Sequence, residues 1–162
     1  MKQSNLTSAE LVLASGSPRR QQMLADFGLE YTTDPADIDE TPLKNEHPAD
    51  YVKRVTRLKA EAVAKRHKGK NILAADTTVC VGRRILGKPE SAEEAAEMMH
   101  LLNGRRHKVL TAVALVTADG QTLETMSSTV VKFRPLRAVD IQAYVQKEKH
   151  WQGVAGGYAL QS

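Results

Sequence analysis

Cysteine is nearly absent from this chain of 162 residues, because Cys80 is the only one. A single thiol excludes an internal disulfide framework and a cysteine-rich zinc site, and it is typical of a protein in a reducing compartment. Long apolar runs are also missing, and the first ten residues are mostly polar, so we expect neither a signal peptide nor a membrane span. The expected location is therefore the cytoplasm.

Aromatic residues are scarce, at 4% of the chain. So few rings are too few for the stacking platforms on which single-stranded nucleic acids bind. The net charge of +4 favours an anionic partner, but the basic residues are scattered rather than grouped. A nucleotide fits this pattern better than a nucleic acid does.

The strongest functional signal lies in Leu11–Arg20, LVLASGSPRR. Three apolar residues predict a buried strand, and Ser17 before Pro18 has the pattern of a helix N-cap with proline in the first turn. That turn would present backbone N–H groups, and Arg19 and Arg20 add guanidinium donors that match phosphate geometry. The stretch predicts a polyphosphate cradle, and an ordinary capping loop with two solvated arginines is the alternative that the spacing leaves open.

Carboxylates are found in two further stretches. Asp76 follows the apolar run Ile72–Ala75, which predicts a position at the C-terminal end of a buried strand, where open α/β folds bind ligands. Asp37, Asp39 and Glu40 lie in a loop rich in proline and acidic residues and would offer oxygen ligands to a divalent cation. Each has a structural alternative, because aspartate often caps a turn and an acidic loop is usually only solvated.

Periodicity in the rest of the chain predicts a mixed α/β domain. Helices are expected at Pro18–Phe27, Pro48–Lys65, 91–103 and Ala138–Lys147. In the second of these, the apolar residues at helical spacing are Tyr51, Val52, Val55, Leu58 and Ala62, and in the third the residues expected in the core are Met98, Met99, Leu101 and Leu102. Strands are expected at Leu11–Leu13, Glu30–Thr33, Ile72–Ala75 with a strand-like continuation at 78–81, His107–Ala118 and Gln121–Phe133. Glycine marks the turns, with Asp119-Gly120 as a two-residue hairpin, Gly82-Arg83-Arg84 as a second hairpin, and Gly28 as the cap of a helix whose Met23, Leu24 and Phe27 share a face.

Five short motifs, in order, resemble those of the Maf family. They are Ser15-Gly-Ser17-Pro-Arg19-Arg20, Ala75-Asp76-Thr77, Gly87-Lys88-Pro89, Gly104-Arg-Arg-His107 with Thr111, and Ala155-Gly-Gly-Tyr-Ala-Leu-Gln161. Each motif is weak alone, but together they cover nearly the whole chain at fitting intervals. The resemblance implies one Maf/inosine-triphosphatase-like domain over residues 1–162, of the mixed α/β class, with a twisted mixed β-sheet flanked by helices.

The resemblance also implies a reaction, since members of the family are cytoplasmic nucleoside triphosphate pyrophosphatases that release pyrophosphate and leave the monophosphate. Asp76 would accept a proton from water, with Lys59 and Lys88 as further catalytic residues. The metal, Mg²⁺ or Mn²⁺, would be held by Glu40 and Asp76. The substrate-binding residues implied are Ser15, Ser17, Arg19, Arg20, Thr77 and Gln161.

Substrate choice in the family depends on three positions, which here are Arg19, Thr77 and Gln161. This combination resembles the branch that hydrolyses dTTP and UTP. The alternatives are a preference for 7-methyl-GTP or modified nucleotides, a non-catalytic nucleotide-binding regulator of septum formation, and a basic nucleic-acid-binding module. We expect a nucleoside triphosphate as partner, no nucleic acid and no membrane, with a homodimer left open.

Two features remain open within the resemblance. His107 lies in a family motif without a catalytic triad around it, and we expect it to orient the neighbouring loop. The family normally continues past the position of Gln161 with a further strand and a final helix, whereas this chain ends at Ser162. We therefore expect it to lack those two elements, which would expose apolar surface and a sheet edge.

Overall fold

A computed structural model describes residues 11–159 of the chain. Its strands are β1 (Leu11–Leu13), β2 (Thr32–Thr33), β3 (Asn71–Val81), β4 (Arg84–Leu86), β5 (Arg106–Val116) and β6 (Thr122–Lys132). Its α-helices are α1 (Pro18–Asp26), α2 (Pro48–Ala64), α3 (Ala92–Leu102) and α4 (Ala138–Val145). Across residues 11–159, every helix is too short or too polar to cross a bilayer.

The strands form one mixed sheet in the order β2-β1-β3-β5-β6, with β4 paired to β3. Strand β1 runs parallel to both of its neighbours, and Leu13 lies opposite Thr33 on one side and Leu73 on the other. Strand β4 returns antiparallel to β3, with Val81 opposite Arg84. The predicted mixed α/β class and the hairpin at Gly82 are therefore confirmed.

Contacts along the chain define two compact units, and each has its own buried residues. The first contains residues up to 46, Asp50–Asp76 and Ala112–Met126. The second contains His47–Ala49, Thr77–Thr111 and residues from 127 onward. The boundary falls within β3, between Asp76 and Thr77.

In the first unit, α2 packs against buried residues of the strands. The cluster contains Val12, Ala14, Ala60, Val63, Ile72, Ala74, Ala114 and Val116. Of the α2 residues at helical spacing, Tyr51, Val52 and Val55 are at most 8% exposed, whereas Leu58 is 38% exposed. This face anchors the helix firmly against the sheet, which fixes the polar residues that lie on the same helix.

In the second unit, the core is built from α3, α4 and the segments around them. Its buried residues are Val79, Leu86, Ala95, Ala96, Met98, Met99, Leu102, Ile141, Val145, Trp151 and Tyr158. Trp151 is held in place because its indole N–H donates a hydrogen bond to the Val145 carbonyl at 2.7 Å. The methionines and leucines of α3 are thus core residues, as their spacing predicted.

The end of α1 confirms one prediction and corrects another. Gly28 has a φ of 68°, and the N–H groups of Gly28 and Leu29 donate to the carbonyls of Ala25 and Leu24, which are the two bonds of a Schellman cap. The face predicted to hold Met23, Leu24 and Phe27 is not a buried apolar face, however. Only Leu24 is buried, whereas Met23 is 59% and Phe27 is 74% exposed.

The hairpin between β5 and β6 also differs from its prediction. The Thr117 N–H donates to the Gln121 carbonyl at 2.8 Å, so three residues rather than two connect the strands. Gly120, the last of the three, has a φ of 86°. A three-residue hairpin loop needs a left-handed residue at this position, and glycine adopts it without strain.

Candidate active site

The loop between β1 and α1 is organised around the hydroxyl of Ser15, a residue that is only 8% exposed. Ser15 Oγ accepts hydrogen bonds from the Ser17 N–H at 3.2 Å and from Arg20 Nη1 at 3.1 Å. Ser17 is the N-cap residue of α1, yet its side chain makes no capping hydrogen bond, and Pro18 follows it. The backbone N–H groups in the first turn of α1 therefore receive no hydrogen-bond acceptor from the N-cap side chain. Such N–H groups are suited to binding an anion.

The two arginines of this loop have different surroundings. Arg20 extends toward Asp76, with 4.0 Å between Nη2 and Oδ1, and its side chain is one quarter exposed. Burial lowers the pKa of Arg20, and the negative charge of Asp76 opposes that shift. Arg19 is exposed. Arg20 is thus oriented toward Asp76, while Arg19 is the more exposed of the two arginines.

Asp76 does not lie at the end of its strand, contrary to the prediction, because β3 continues to Val81. It lies beyond the part of β3 that pairs with β1, whose last register pair joins Leu13 and Leu73. Strand β1 ends there and the Ser15 loop begins. Asp76 is therefore just past the carboxyl end of a parallel strand pair, where open α/β sheets bind ligands.

Lys59 lies between two carboxylates. Its Nζ is 3.2 Å from Asp76 Oδ1 and 2.9 Å from Glu40 Oε1. Lys59 and Asp76 are 7% and 6% exposed, whereas the Glu40 side chain is 41% exposed. Because an unpaired charge is costly to bury, the ammonium and the Asp76 carboxylate stabilise each other in this position.

The loop that contains Glu40 is fastened to α2 by Arg54. Arg54 donates to both carboxylate oxygens of Glu46, at 2.6 and 2.8 Å, and to the Thr41 carbonyl at 3.1 Å. Its guanidinium carbon also lies 5.7 Å from the centroid of the Tyr51 ring. A paired contact of this kind fixes orientation as well as distance, so it holds the acidic loop in register with the helix.

Tyr51 adds a neutral hydroxyl to the same region. Burial raises the pKa of Tyr51 to about 12, and the negative charges of Asp76 and Glu40 contribute in the same direction. The phenol therefore stays protonated at physiological pH. It does not compete with the two carboxylates for Lys59 or for a metal.

The sequence did not identify Tyr51, Arg54 and Glu46 as residues of the site. Tyr51 was assigned to the apolar face of α2, although it stands two steps of four residues before Lys59 and hence on nearly the same face. That spacing was the available signal. Nothing in the sequence indicated that Arg54 and Glu46 pair, because Glu46 lies outside the helix.

In the second unit, Thr77 and Lys88 have separate supports. The Thr77 hydroxyl is 3.1 Å from the Thr111 hydroxyl, which fixes its rotamer. Lys88 is exposed in the loop after β4, and the Gly87 carbonyl next to it accepts a hydrogen bond from the Gly156 N–H at 2.9 Å. The glycine-rich motif at 155–157 thus steadies the loop that contains Lys88.

His107 forms a buried contact with Tyr158. His107 is 3% exposed, its Nε2 lies 2.6 Å from the Tyr158 hydroxyl, and the Phe133 ring stands edge-on at 5.1 Å. Burial lowers the pKa of His107 and raises that of Tyr158 to about 12. Both groups are therefore neutral at physiological pH. The pair supports the 155–158 segment, in line with the expectation that His107 orients a neighbouring loop.

The structure therefore brings together Ser15, Arg20, Glu40, Lys59 and Asp76 in the first unit. The other predicted residues are placed separately: Ser17 and Arg19 border the Ser15 loop, Thr77 and Lys88 belong to the second unit, and Gln161 lies outside the described residues.

A divalent metal fits the two carboxylates of the first unit. Residues 11–159 contain no group of three or more His, Cys, Asp or Glu side chains that would hold a metal ion by themselves. Glu40 and Asp76 do converge on one cation, the ammonium of Lys59. Mg²⁺ commonly binds through one or two carboxylates together with water and substrate phosphates, so this donor set suits it.

Comparisons with known proteins identify the family of the chain. The profile of the Maf-like protein family matches residues 10–162. The chain is 50% identical over 155 residues to the dTTP/UTP pyrophosphatase of Zymomonas mobilis, covering 95% of this chain and 76% of that protein. It is 49% identical over 156 residues to the dTTP/UTP pyrophosphatase of Rhodospirillum rubrum, covering 96% and 74%.

A solved structure shares the fold at much lower identity. The Ham1 protein of Staphylococcus aureus superposes with a TM-score of 0.56 at 19% identity, over 76% of this chain and 71% of that one. The chain spans about three quarters of the length of the two pyrophosphatases above. The family profile and the identity over nearly all of the chain lead to one conclusion: this chain belongs to the Maf family.

Proposed function

We propose that this chain hydrolyses dTTP and UTP to the nucleoside monophosphate and pyrophosphate. The observation that carries the proposal is the buried pair of Lys59 and Asp76, 3.2 Å apart, near a helix N-terminus whose N-cap side chain makes no capping hydrogen bond. The activity named for the relatives from Zymomonas mobilis and Rhodospirillum rubrum supports the same reaction.

The phosphates would bind at the start of α1. Backbone N–H groups of its first turn point toward the loop, and Arg19 supplies an exposed guanidinium. Arg20 is already oriented by Ser15 Oγ, so it loses little conformational entropy when it contacts a phosphate oxygen. Ser17 adds a hydroxyl that the helix cap does not use.

Asp76 would act as the general base. It takes a proton from a water molecule, whose oxygen attacks the α-phosphorus of the nucleotide. The bond from that phosphorus to the oxygen that bridges the α- and β-phosphates breaks, and pyrophosphate leaves with the bonding electrons. The contacts that Lys59 and Arg20 make with Asp76 are both to Oδ1, at 3.2 and 4.0 Å, so we assign the proton to Oδ2.

The remaining barrier is electrostatic, because phosphoryl transfer requires neutralisation of charge more than covalent chemistry. Lys59 and Arg20 supply two cations in the first unit, and we assign Lys88 to the leaving pyrophosphate. Glu40 and Asp76 would hold Mg²⁺ or Mn²⁺, which when bound neutralises phosphate charge.

Substrate choice is assigned to Arg19, Thr77 and Gln161. The contact between the Thr77 and Thr111 hydroxyls supports this assignment for Thr77, since it fixes the direction of a hydrogen-bonding group. A nucleoside triphosphate in the cytoplasm is the expected partner. The absence of nucleic-acid and membrane partners, and a homodimer, remain predictions.

The test is pyrophosphate release from dTTP, UTP, CTP, GTP and 7-methyl-GTP, each with Mg²⁺ or Mn²⁺. We expect turnover of dTTP and UTP well above the others. Asp76→Asn should abolish release while nucleotide binding persists, as measured by calorimetry. Preferential turnover of 7-methyl-GTP would contradict the substrate assignment, and binding without turnover of any nucleotide would favour the regulator.

A further inference from the structure

We propose that the Lys59 ammonium is the resident cation of the Glu40 and Asp76 carboxylates, and that a divalent metal joins them only together with the nucleotide. The inference rests on the proposed function, because it concerns the metal which that reaction would use. It adds an order of binding that the reaction itself does not require.

The position of the ammonium is the first step. Nζ is 2.9 Å from Glu40 Oε1 and 3.2 Å from Asp76 Oδ1, so one cation already contacts both of the carboxylates that would hold a metal. Lys59 is 7% exposed and extends from a helix whose neighbouring positions, Val55, Ala60 and Val63, are fully buried. The lysine is therefore built into the site rather than lying across its surface.

The charge balance is the second step. Arg20 stands 4.0 Å from the same Asp76 oxygen, so two cations face two carboxylates before any ligand binds. A divalent cation arriving alone would meet a neutral cluster with an ammonium between the oxygens it needs. Like charges at such short distances repel strongly where burial reduces screening by water. The free protein should therefore bind metal weakly.

The nucleotide changes this balance. Its phosphates bring several negative charges to the start of α1, and both Lys59 and Arg20 gain new oxygen partners. Lysine has a flexible stem and a compact charge, so it can turn from a carboxylate to a phosphate without a change in the backbone. The carboxylate oxygens that it leaves are then free to contact the metal, which the phosphates also attract.

A simpler role for Lys59 is that of a structural counter-ion, which neutralises Asp76 and takes no part in metal binding. The two roles predict different metal affinities. If Lys59 is only a structural counter-ion, the affinity of the protein for metal does not depend on whether the nucleotide is bound. If Lys59 is a resident cation, binding of the nucleotide raises the affinity of the protein for metal, and binding of the metal raises its affinity for the nucleotide.

The experiment is a titration with Mn²⁺, whose unbound fraction is measured by electron paramagnetic resonance. Wild-type protein is titrated alone and with α,β-imido-dUTP, an analogue that cannot be cleaved at the α–β bridge, and the analogue without protein is the blank. We expect Mn²⁺ to bind at least about tenfold more tightly to the protein–analogue mixture than to the protein and the analogue taken separately. Equal affinity with and without the analogue would overturn the proposal.

Two variants sharpen the result. Lys59→Met removes the resident cation, so the free protein should gain at least about tenfold in Mn²⁺ affinity. Lys59→Met combined with Glu40→Gln should lose that gain. A folded Lys59→Met variant without the gain, as judged by circular dichroism, would refute the proposal, and the wild-type titration decides it if that variant does not fold.

Failure of this inference can be separated from failure of the proposed function. Wild-type protein that releases pyrophosphate from dTTP but binds Mn²⁺ tightly when alone refutes only the order of binding. Wild-type protein that releases pyrophosphate from none of the triphosphates refutes the proposed reaction, whatever its affinity for Mn²⁺.

Discussion

Lys59 Nζ lies 3.2 Å from Asp76 Oδ1, and both side chains are less than a tenth exposed. The two residues come from different elements, α2 and β3, that pack on each other through apolar neighbours. A buried ion pair adds little stability over an apolar pair, but removal of one partner leaves an uncompensated charge. The contact therefore orients Lys59 and Asp76, and substitution of either one alone lowers the stability of the protein.

Lys59→Met is expected to lower the free energy of unfolding by about 3 kcal/mol, because it leaves the Asp76 carboxylate buried without its nearest cation. The double variant with Asp76→Asn should recover part of that loss. Urea denaturation of the wild type, the two single variants and the double variant measures the coupling free energy between the two side chains. Additive losses in the double variant would mean that the two side chains do not stabilise each other.

Arg54→Met is expected to raise the metal concentration needed for half-maximal pyrophosphate release by about tenfold. Substitution of residues that orient metal ligands commonly weakens metal binding by at least this factor. The variant loses the contacts with Glu46 and Thr41 that fasten the Glu40 loop. Arg57→Met is the matched control, because Arg57 leaves the same helix but pairs with Glu124 on the surface.

The Arg57 control should behave like wild type, as exposed ion pairs contribute only about 0–1 kcal/mol. Similar changes in both variants would show that loss of a positive charge, rather than release of the loop, is responsible.

Local features of the fold were predictable because few residues can satisfy them. Gly28 and the hairpin at Gly82 require left-handed backbone, and Ser17 before Pro18 marks a helix start. Residue patterns do not show whether another element packs against a given face of a helix, however. Phe27 was predicted to share a face with Met23 and Leu24, but the pattern did not show that this residue is 74% exposed.

The site itself depends on contacts between distant parts of the chain. Asp76 meets Lys59, which lies 17 residues earlier. Asp76 was identified from the apolar run that precedes it, whereas the role of Lys59 came only from the resemblance. Arg54 and Glu46 were missed because the path of the acidic loop follows from tertiary packing. Residue types therefore indicated the chemistry, whereas the contacts between these residues follow from the tertiary fold.

Gly156→Ala is expected to destabilise the protein more than Gly153→Ala, by about 1–3 kcal/mol. Both glycines have positive φ, of 75° and 69°, so both variants have similar backbone strain. A Cβ at 156 would lie 2.9 Å from Val79 Cγ2, whereas a Cβ at 153 would meet nothing within 4 Å. Thermal and urea unfolding measure the difference, and equal losses would show that packing against Val79 is loose.

Asp34 should make part of the stability depend on pH in the acid range. Hydrogen bonds from Arg66 and His67 lower the pKa of Asp34 to about 2 in the folded protein, against about 3.9 in an unfolded chain. A depressed folded pKa gives stability that is present above about pH 4 and is lost as the pH falls toward 2.

Asp34→Asn removes this contribution, so the difference in unfolding free energy between wild type and variant should shrink as the pH falls from 4 to 2. Chemical denaturation at several pH values measures that difference, and Asp26→Asn is a control because the hydrogen bond that Asp26 accepts from Gln22 comes from a neutral side chain. A difference for Asp34 that stays constant across this range would mean that its ion pairs do not persist in solution.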